Sequence, residues 1–150
     1  MDPATPAAAP LRQRRVSWMP WAAASEAFVA LGLLSAAKTG VKRRAKIRAV
    51  SASFPNWNVA VALRFVVAIR TNRTRHENAT LAEARSARDL VLMNMSESPF
   101  RCGFKYLLWM EHACQAFPAA QYIGAGDDDA YIQLSHFEAD LRNVWHQTAD

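Results

Sequence analysis

The chain has 150 residues, enough for about one domain, and 51% of them are hydrophobic, which supports a packed core and excludes a disordered chain. The net charge is +5 and uneven: Arg12, Arg14, Arg15, Lys38, Lys42, Arg43, Arg44, Lys46 and Arg48 precede position 50, while most carboxylates follow it. The basic stretch has neither zinc-finger spacing nor an aromatic RNP-type motif, so nucleic acid is not the expected partner; a ligand carrying phosphate and metal together suits this charge layout better.

Residues 1–15, with Pro3, Pro6, Pro10 and a run of alanines, read as a flexible tail. From Val16 to Ala37 the chain is largely apolar with basic flanks, which raises a membrane anchor. Pro20 and Glu26 interrupt it, and one carboxylate at the centre of a span costs about 2.5–3.5 kcal/mol. The preferred division is therefore a flexible segment over 1–26 and an α/β domain over 27–150, with the anchor as the alternative. Phe28 to Ser35 is expected as a buried strand, Lys42 to Ser53 as a helix with one cationic face, and Val59 to Ile69 as a second buried strand. A polar loop over Thr71–Asn78, a helix over Ala79–Arg88 and a third strand over Asp89–Met93 follow. Pro99 opens a longer helix through Phe104, Leu107, Leu108 and Ala113 that ends near Pro118. A strand at Tyr122 and a helix from Ser135 through Phe137, Leu141, Val144 and Trp145 complete the chain. Apolar strands alternating with helices indicate a parallel α/β sheet, and ligands bind at the strand ends of such sheets.

Cys102 and Cys114, placed on one helix, stand about 18 Å apart by helical rise, too far to bridge. Three N-glycosylation sequons occur, at Asn72, Asn78 and Asn94, a mild indication of the secretory pathway. His76, His112, His136 and His146 show no metal-ligand pairing and are expected at the surface; Trp109 and Phe104 are expected in the core.

The segment that carries chemistry is Tyr122-Ile123-Gly124-Ala125-Gly126-Asp127-Asp128-Asp129. In an extended segment alternate side chains share a face, so Asp127 and Asp129 point one way and Asp128 the other. Two carboxylates on one face at a strand end form an open hard-oxygen site for Mg²⁺ or Mn²⁺. A solvated turn or a helix N-cap is the competing reading. A prenyl-synthase motif and an EF-hand loop both fail on spacing.

Taken together, the blocks resemble glycosyltransferase family 31, the β-1,3-galactosyl- and N-acetylglucosaminyltransferases. The carrying residues are Phe28 to Ser35, Arg43-Arg44-Ala45-Lys46-Ile47-Arg48, Arg64-Phe65-Val66, Glu83, Asp89-Leu90-Val91, Glu97-Ser98, Lys105, Trp109-x4-Cys114 and Asp127-Asp128-Asp129, in that order over about residues 27–145. The resemblance implies a GT-A, Rossmann-like fold with a mostly parallel sheet flanked by helices. It also implies a UDP-sugar donor (UDP-galactose or UDP-N-acetylglucosamine), Mn²⁺ or Mg²⁺, and inverting β-1,3 hexosyl transfer to a glycan or glycoprotein acceptor. Full-length relatives are membrane-anchored, on the lumenal side of the Golgi.

For the site, the resemblance implies metal on Asp129 and Asp127, and donor contacts by Ser35, Arg44, Arg48, Lys105, Asp127 and Asp128, with Arg43 a further phosphate candidate. Two departures stand out. The family's Thr-Trp is missing, with Val50 and Ser51 near those positions. Its later half, with the acidic catalytic base, is expected beyond residue 150, which points to a truncated chain or a non-catalytic nucleotide-sugar-binding fragment.

Overall fold

The computed structural model describes residues 26–53 and 60–148. Residues 1–25, which hold most of the flexible segment and much of the anchor alternative, lie outside them. Among the described residues no helix is long and apolar enough to cross a membrane.

Four parallel strands form the sheet: β1 (Val29–Ser35), β2 (Val61–Ile69), β3 (Leu90–Asn94) and β4 (Tyr122–Asp127), in the order β3-β2-β1-β4. Among the described residues, four helices alternate with them: α1 (Gly40–Ser51), α2 (Arg75–Ala87), α3 (Cys102–Ala116), entered through a short turn at Pro99–Arg101, and α4 (Leu134–Thr148). The expected α/β architecture holds, with every described strand pair parallel.

Strand alternation divides the core into two faces. Ala30, Leu34, Val66, Val91 and Met93 face α3, which contributes Trp109 and Ala113. Leu31, Leu33, Leu63, Phe65 and Leu90 face the other way, packing with Ile47 of α1, Ala84 of α2, and Phe137 and Leu141 of α4. Burial on both faces explains why β1 reads as an apolar run and β2 as one broken by a single charge, Arg64, which is itself buried. One connection hand accounts for the helix placement: β1 to β2 to β3 steps one way, and the return to β4 carries α3 to the opposite face.

The start of α2 differs from the expected loop over Thr71–Asn78. Thr74 caps the helix, its hydroxyl accepting from the Glu77 amide while Glu77 accepts from the Thr74 amide. This reciprocal Ser/Thr-x-x-Glu box holds four residues of polar sequence in helical form. Asn72 stays in the exposed connection, and Asn78 is exposed on the first turn of α2. Glu77 also accepts from the Arg70 amide and guanidinium. Burial opposes its charge, but the Thr74 and Arg70 bonds prevail and hold its pKa down to about 2.

Trp109 is fully buried, as expected, whereas Phe104 is 47% exposed: it faces away from the sheet on α3. Cys102 and Cys114 are both exposed free thiols on α3. His76, His136 and His146 are exposed, but His112 is half-buried. It tilts against Trp109 and Phe117, and burial, then the positive charge of Arg64, lowers its pKa to about 4.

A histidine held below its unfolded value binds fewer protons in the folded state. Its contribution is therefore complete above pH ~6.5 and lost as the pH falls towards 4. We expect about 2 kcal/mol of stability to disappear across that window, after discounting for partial exposure. Urea denaturation at a series of pH values measures it. His112→Gln should flatten the slope between pH 6.5 and about 5.5, above the range where Glu77 in the unfolded chain begins to bind protons, and an unchanged slope would remove His112 as the cause.

Candidate functional site

The strand order reverses between β1 and β4, because the chain leaves β1 in one direction and returns on its other side. Beyond the carboxyl ends of two such strands the connections diverge and leave a crevice, the usual ligand position in open α/β sheets. Ser35 ends β1 and Asp127 ends β4, so the aspartates stand at this switch point.

Pairing ends at Asp127, although the Asp128 amide still donates to the Leu34 carbonyl at 3.1 Å. A turn then closes with the Ala130 amide on the Asp127 carbonyl. Asp127 and Asp129 are exposed and Asp128 is buried. Each carboxylate has its own support. The Tyr106 hydroxyl of α3 donates to Asp127 Oδ1 at 3.2 Å. Burial, and then the Asp127 charge, raise the Tyr106 pKa, which keeps the phenol a donor. Asp128 Oδ2 accepts from Ser35 Oγ at 2.6 Å, and its Oδ1 accepts from Arg43 Nη1 at 3.0 Å. The same Arg43 nitrogen lies 3.8 Å from Asp129 Oδ2.

Ser35 is the hub beneath the turn. Its hydroxyl accepts from Arg44 Nη1 at 2.7 Å while donating to Asp128, and its carbonyl accepts from Lys105 Nζ at 3.0 Å. Gly40 makes room for this cluster. A Cβ there would lie 2.1 Å from Ser35 Oγ, 2.6 Å from Arg44 Nη1 and 2.8 Å from Asp128 Oδ2.

Arg44 has no exposed surface. It grips Glu83 with Nε and Nη2, and its Nη1 also reaches the Ala36 carbonyl. Arg48, one turn further along α1, forks onto Asp89 and reaches Glu83 at 2.7 Å. Burial opposes the Glu83 charge, but the two arginines hold its pKa below the usual carboxylate range. Lys105 is buried too, bonded to Glu97 at 3.1 Å as well as to Ser35. Ser35, Arg44, Arg48 and Lys105 thus form a polar scaffold leading from the aspartate turn to α2 and β3. The cationic face expected for α1 is divided, with Arg43 outside and Arg44 inside.

Two cavities border this scaffold. One, of about 290 Å³, lies over the carboxyl ends of β1, β2 and β3, where Ala36, Lys38, Arg70, Glu77 and Glu97 line it. The other, of about 370 Å³, lies between α1 and the segment after β4; Ile47, Leu63, Ile132 and Leu134 floor it, and Arg43 and Asp129 stand at its edge.

No closed metal cage is present: among the described residues no group of three or more His, Cys, Asp or Glu side chains is placed to hold an ion. Asp127 and Asp129 still fit a hard divalent cation of the kind that takes one or two carboxylates and completes its shell with water and phosphate. Sequence reasoning missed Tyr106 and Gly40. Tyr106 carries no local signal, since only the packing of α3 brings it to Asp127. Gly40 had one, as a glycine five residues after a strand-ending serine.

Comparison with curated proteins returns no match. A profile of the family described as Galactosyltransferase matches residues 42–149, from the first turns of α1 to the end of α4. That span takes in the Arg43–Asp128 contact, the Arg44–Glu83 pair and all three aspartates. With a Rossmann-like parallel sheet carrying them at its switch point, the chain belongs to the galactosyltransferase family of glycosyltransferases.

Proposed function

We propose that this chain binds a UDP-hexose, UDP-galactose or UDP-N-acetylglucosamine, at the β1/β4 switch point, for inverting β-1,3 transfer to a glycan hydroxyl. The observation that carries the reading is the aspartate turn: exposed Asp127 and Asp129 flank a buried Asp128 that Ser35 pins and Arg43 pairs with. Asp129 and Asp127 would hold Mn²⁺ or Mg²⁺. When bound, the ion supplies Lewis-acid stabilisation of the charge that grows on the departing diphosphate.

The chain's own residues hold and orient. Tyr106 fixes Asp127, Ser35 fixes Asp128, and the cavity over β1–β3 receives the nucleoside end, with Lys38 and Arg70 at its wall. Arg44, Arg48 and Lys105 support the turn from beneath. A lumenal Golgi location accords with the exposed Asn72 and Asn78 sequons.

The test is calorimetric titration of the chain with UDP, with and without Mn²⁺, beside Asp129→Ala. Loss of a charged contact of this kind is expected to lower metal-dependent UDP affinity at least about tenfold. Wild-type affinity in a folded Asp129→Ala chain would sink the reading. Metal-dependent UDP binding without hexosyl transfer would instead favour a non-catalytic nucleotide-sugar-binding role.

A further inference from the structure

Arg43 and Arg44 are neighbours with opposite circumstances. Arg44 is enclosed and bonded through each of its nitrogens. The Arg43 side chain is half exposed, reaches the aspartate turn through one nitrogen, and borders a cavity of about 370 Å³. The Arg43–Asp129 pair, 3.8 Å apart and exposed at both ends, is easily exchanged, because solvent screens it and the side chain regains freedom when it opens. Asp128 does not depend on Arg43 for its position, since its second oxygen is held by the buried Ser35 hydroxyl at 2.6 Å.

We propose that Arg43 is an exchangeable counter-ion of the aspartate turn. Without metal it balances Asp128 and Asp129; when a divalent cation and a nucleoside diphosphate arrive, it yields Asp129 to the cation and turns its guanidinium to the diphosphate. This rests on the donor-site reading above. The exchange is directional. A guanidinium beside Asp129 repels an incoming cation, so bare metal binds weakly. A diphosphate supplies the negative charge that draws the guanidinium away, and its paired oxygens suit the arginine fork better than a lysine point charge. Metal and donor affinities are thereby coupled through one side chain, which holds free Mn²⁺ off the turn until the diphosphate arrives.

The test separates the two affinities. Mn²⁺ binding alone is read from the free-ion EPR signal, and metal-dependent UDP binding from calorimetry, on wild type, Arg43→Ala, Arg43→Lys and Lys46→Ala. Lys46 lies on the same helix and lines the same cavity, so its variant controls for general loss of charge. Arg43→Ala is expected to bind Mn²⁺ alone about three- to tenfold more tightly and UDP with metal about tenfold more weakly. Arg43→Lys should hold the metal affinity near wild type and still lose UDP affinity, while Lys46→Ala moves neither by more than about twofold. Metal affinity that falls or stays fixed in Arg43→Ala overturns the proposal, as does Lys46→Ala reproducing both shifts. A folded wild type that binds neither Mn²⁺ nor UDP fails the donor-site reading itself, a result distinct from these.

Discussion

Replacing Arg44 with alanine should destabilise the fold by about 3 kcal/mol. Arg44 is fully buried and donates to both oxygens of Glu83, to Ser35 Oγ and to the Ala36 carbonyl. Removing one partner of a buried pair leaves the other charge uncompensated, which typically costs about 3–5 kcal/mol. The lower end applies because Arg48 still reaches Glu83 at 2.7 Å. Arg44→Lys should recover little, since one ammonium cannot reproduce a fork that holds Glu83 with two nitrogens and Ser35 with the third. Urea denaturation measures this as a fall in midpoint at constant slope. A loss below about 1 kcal/mol would mean that the network relaxes around the gap and that the buried guanidinium is dispensable. In the same variant Ser35 loses a donor, so Asp128 loses support and metal-dependent UDP binding should weaken at temperatures where the chain stays folded.

The same network shows where sequence reading reaches its limit. Strands β1 and β2 were legible because burial on both faces leaves largely apolar runs that need no partner to be recognised. The aspartate turn was legible because glycines and a charge cluster interrupt such a run. Arg44 and Arg48 had a local signal that went unread. With Gly40, Ile47 and Ser51 they fall on one helical stripe, and Gly40, Arg44 and Ser51 are all buried. Giving α1 one cationic face ignored that period. Their acidic partners, Glu83 and Asp89, lie about forty positions away, and only the β1-α1-β2-α2-β3 winding brings them near. The start of α2 failed differently. Thr74 and Glu77 spelled a capping box, but Asn72, Arg73 and His76 outweighed it as a loop composition.

Gly32→Ala should cost about 3 kcal/mol, the upper end of the usual range for overpacking, although it adds one methyl group. A Cβ at Gly32 would lie 2.3 Å from Trp109 Cε2, 2.5 Å from Cδ2 and 2.6 Å from Nε1. The indole has little room to retreat: it is fully buried, its Nε1 donates to the Gly124 carbonyl at 2.8 Å, and Phe117 packs beside it. The contact bears on function because α3 reaches β4 through two bonds, Trp109 to Gly124 and Tyr106 to Asp127. Pushing the indole outward moves α3 away from β4 and should draw Tyr106 off the aspartate turn. A double-mutant cycle decides whether that contact is the reason for glycine. Trp109→Leu alone opens a cavity and leaves the Gly124 carbonyl without its donor, whereas Gly32→Ala with Trp109→Leu places the new methyl in the space the indole vacated. The pair should therefore cost at least about 1 kcal/mol less than the sum of the singles. If the two add within about 0.5 kcal/mol, the close approach of ring to strand is not what excludes a side chain at position 32, and the spacing of α3 from β4 must be set elsewhere along the helix.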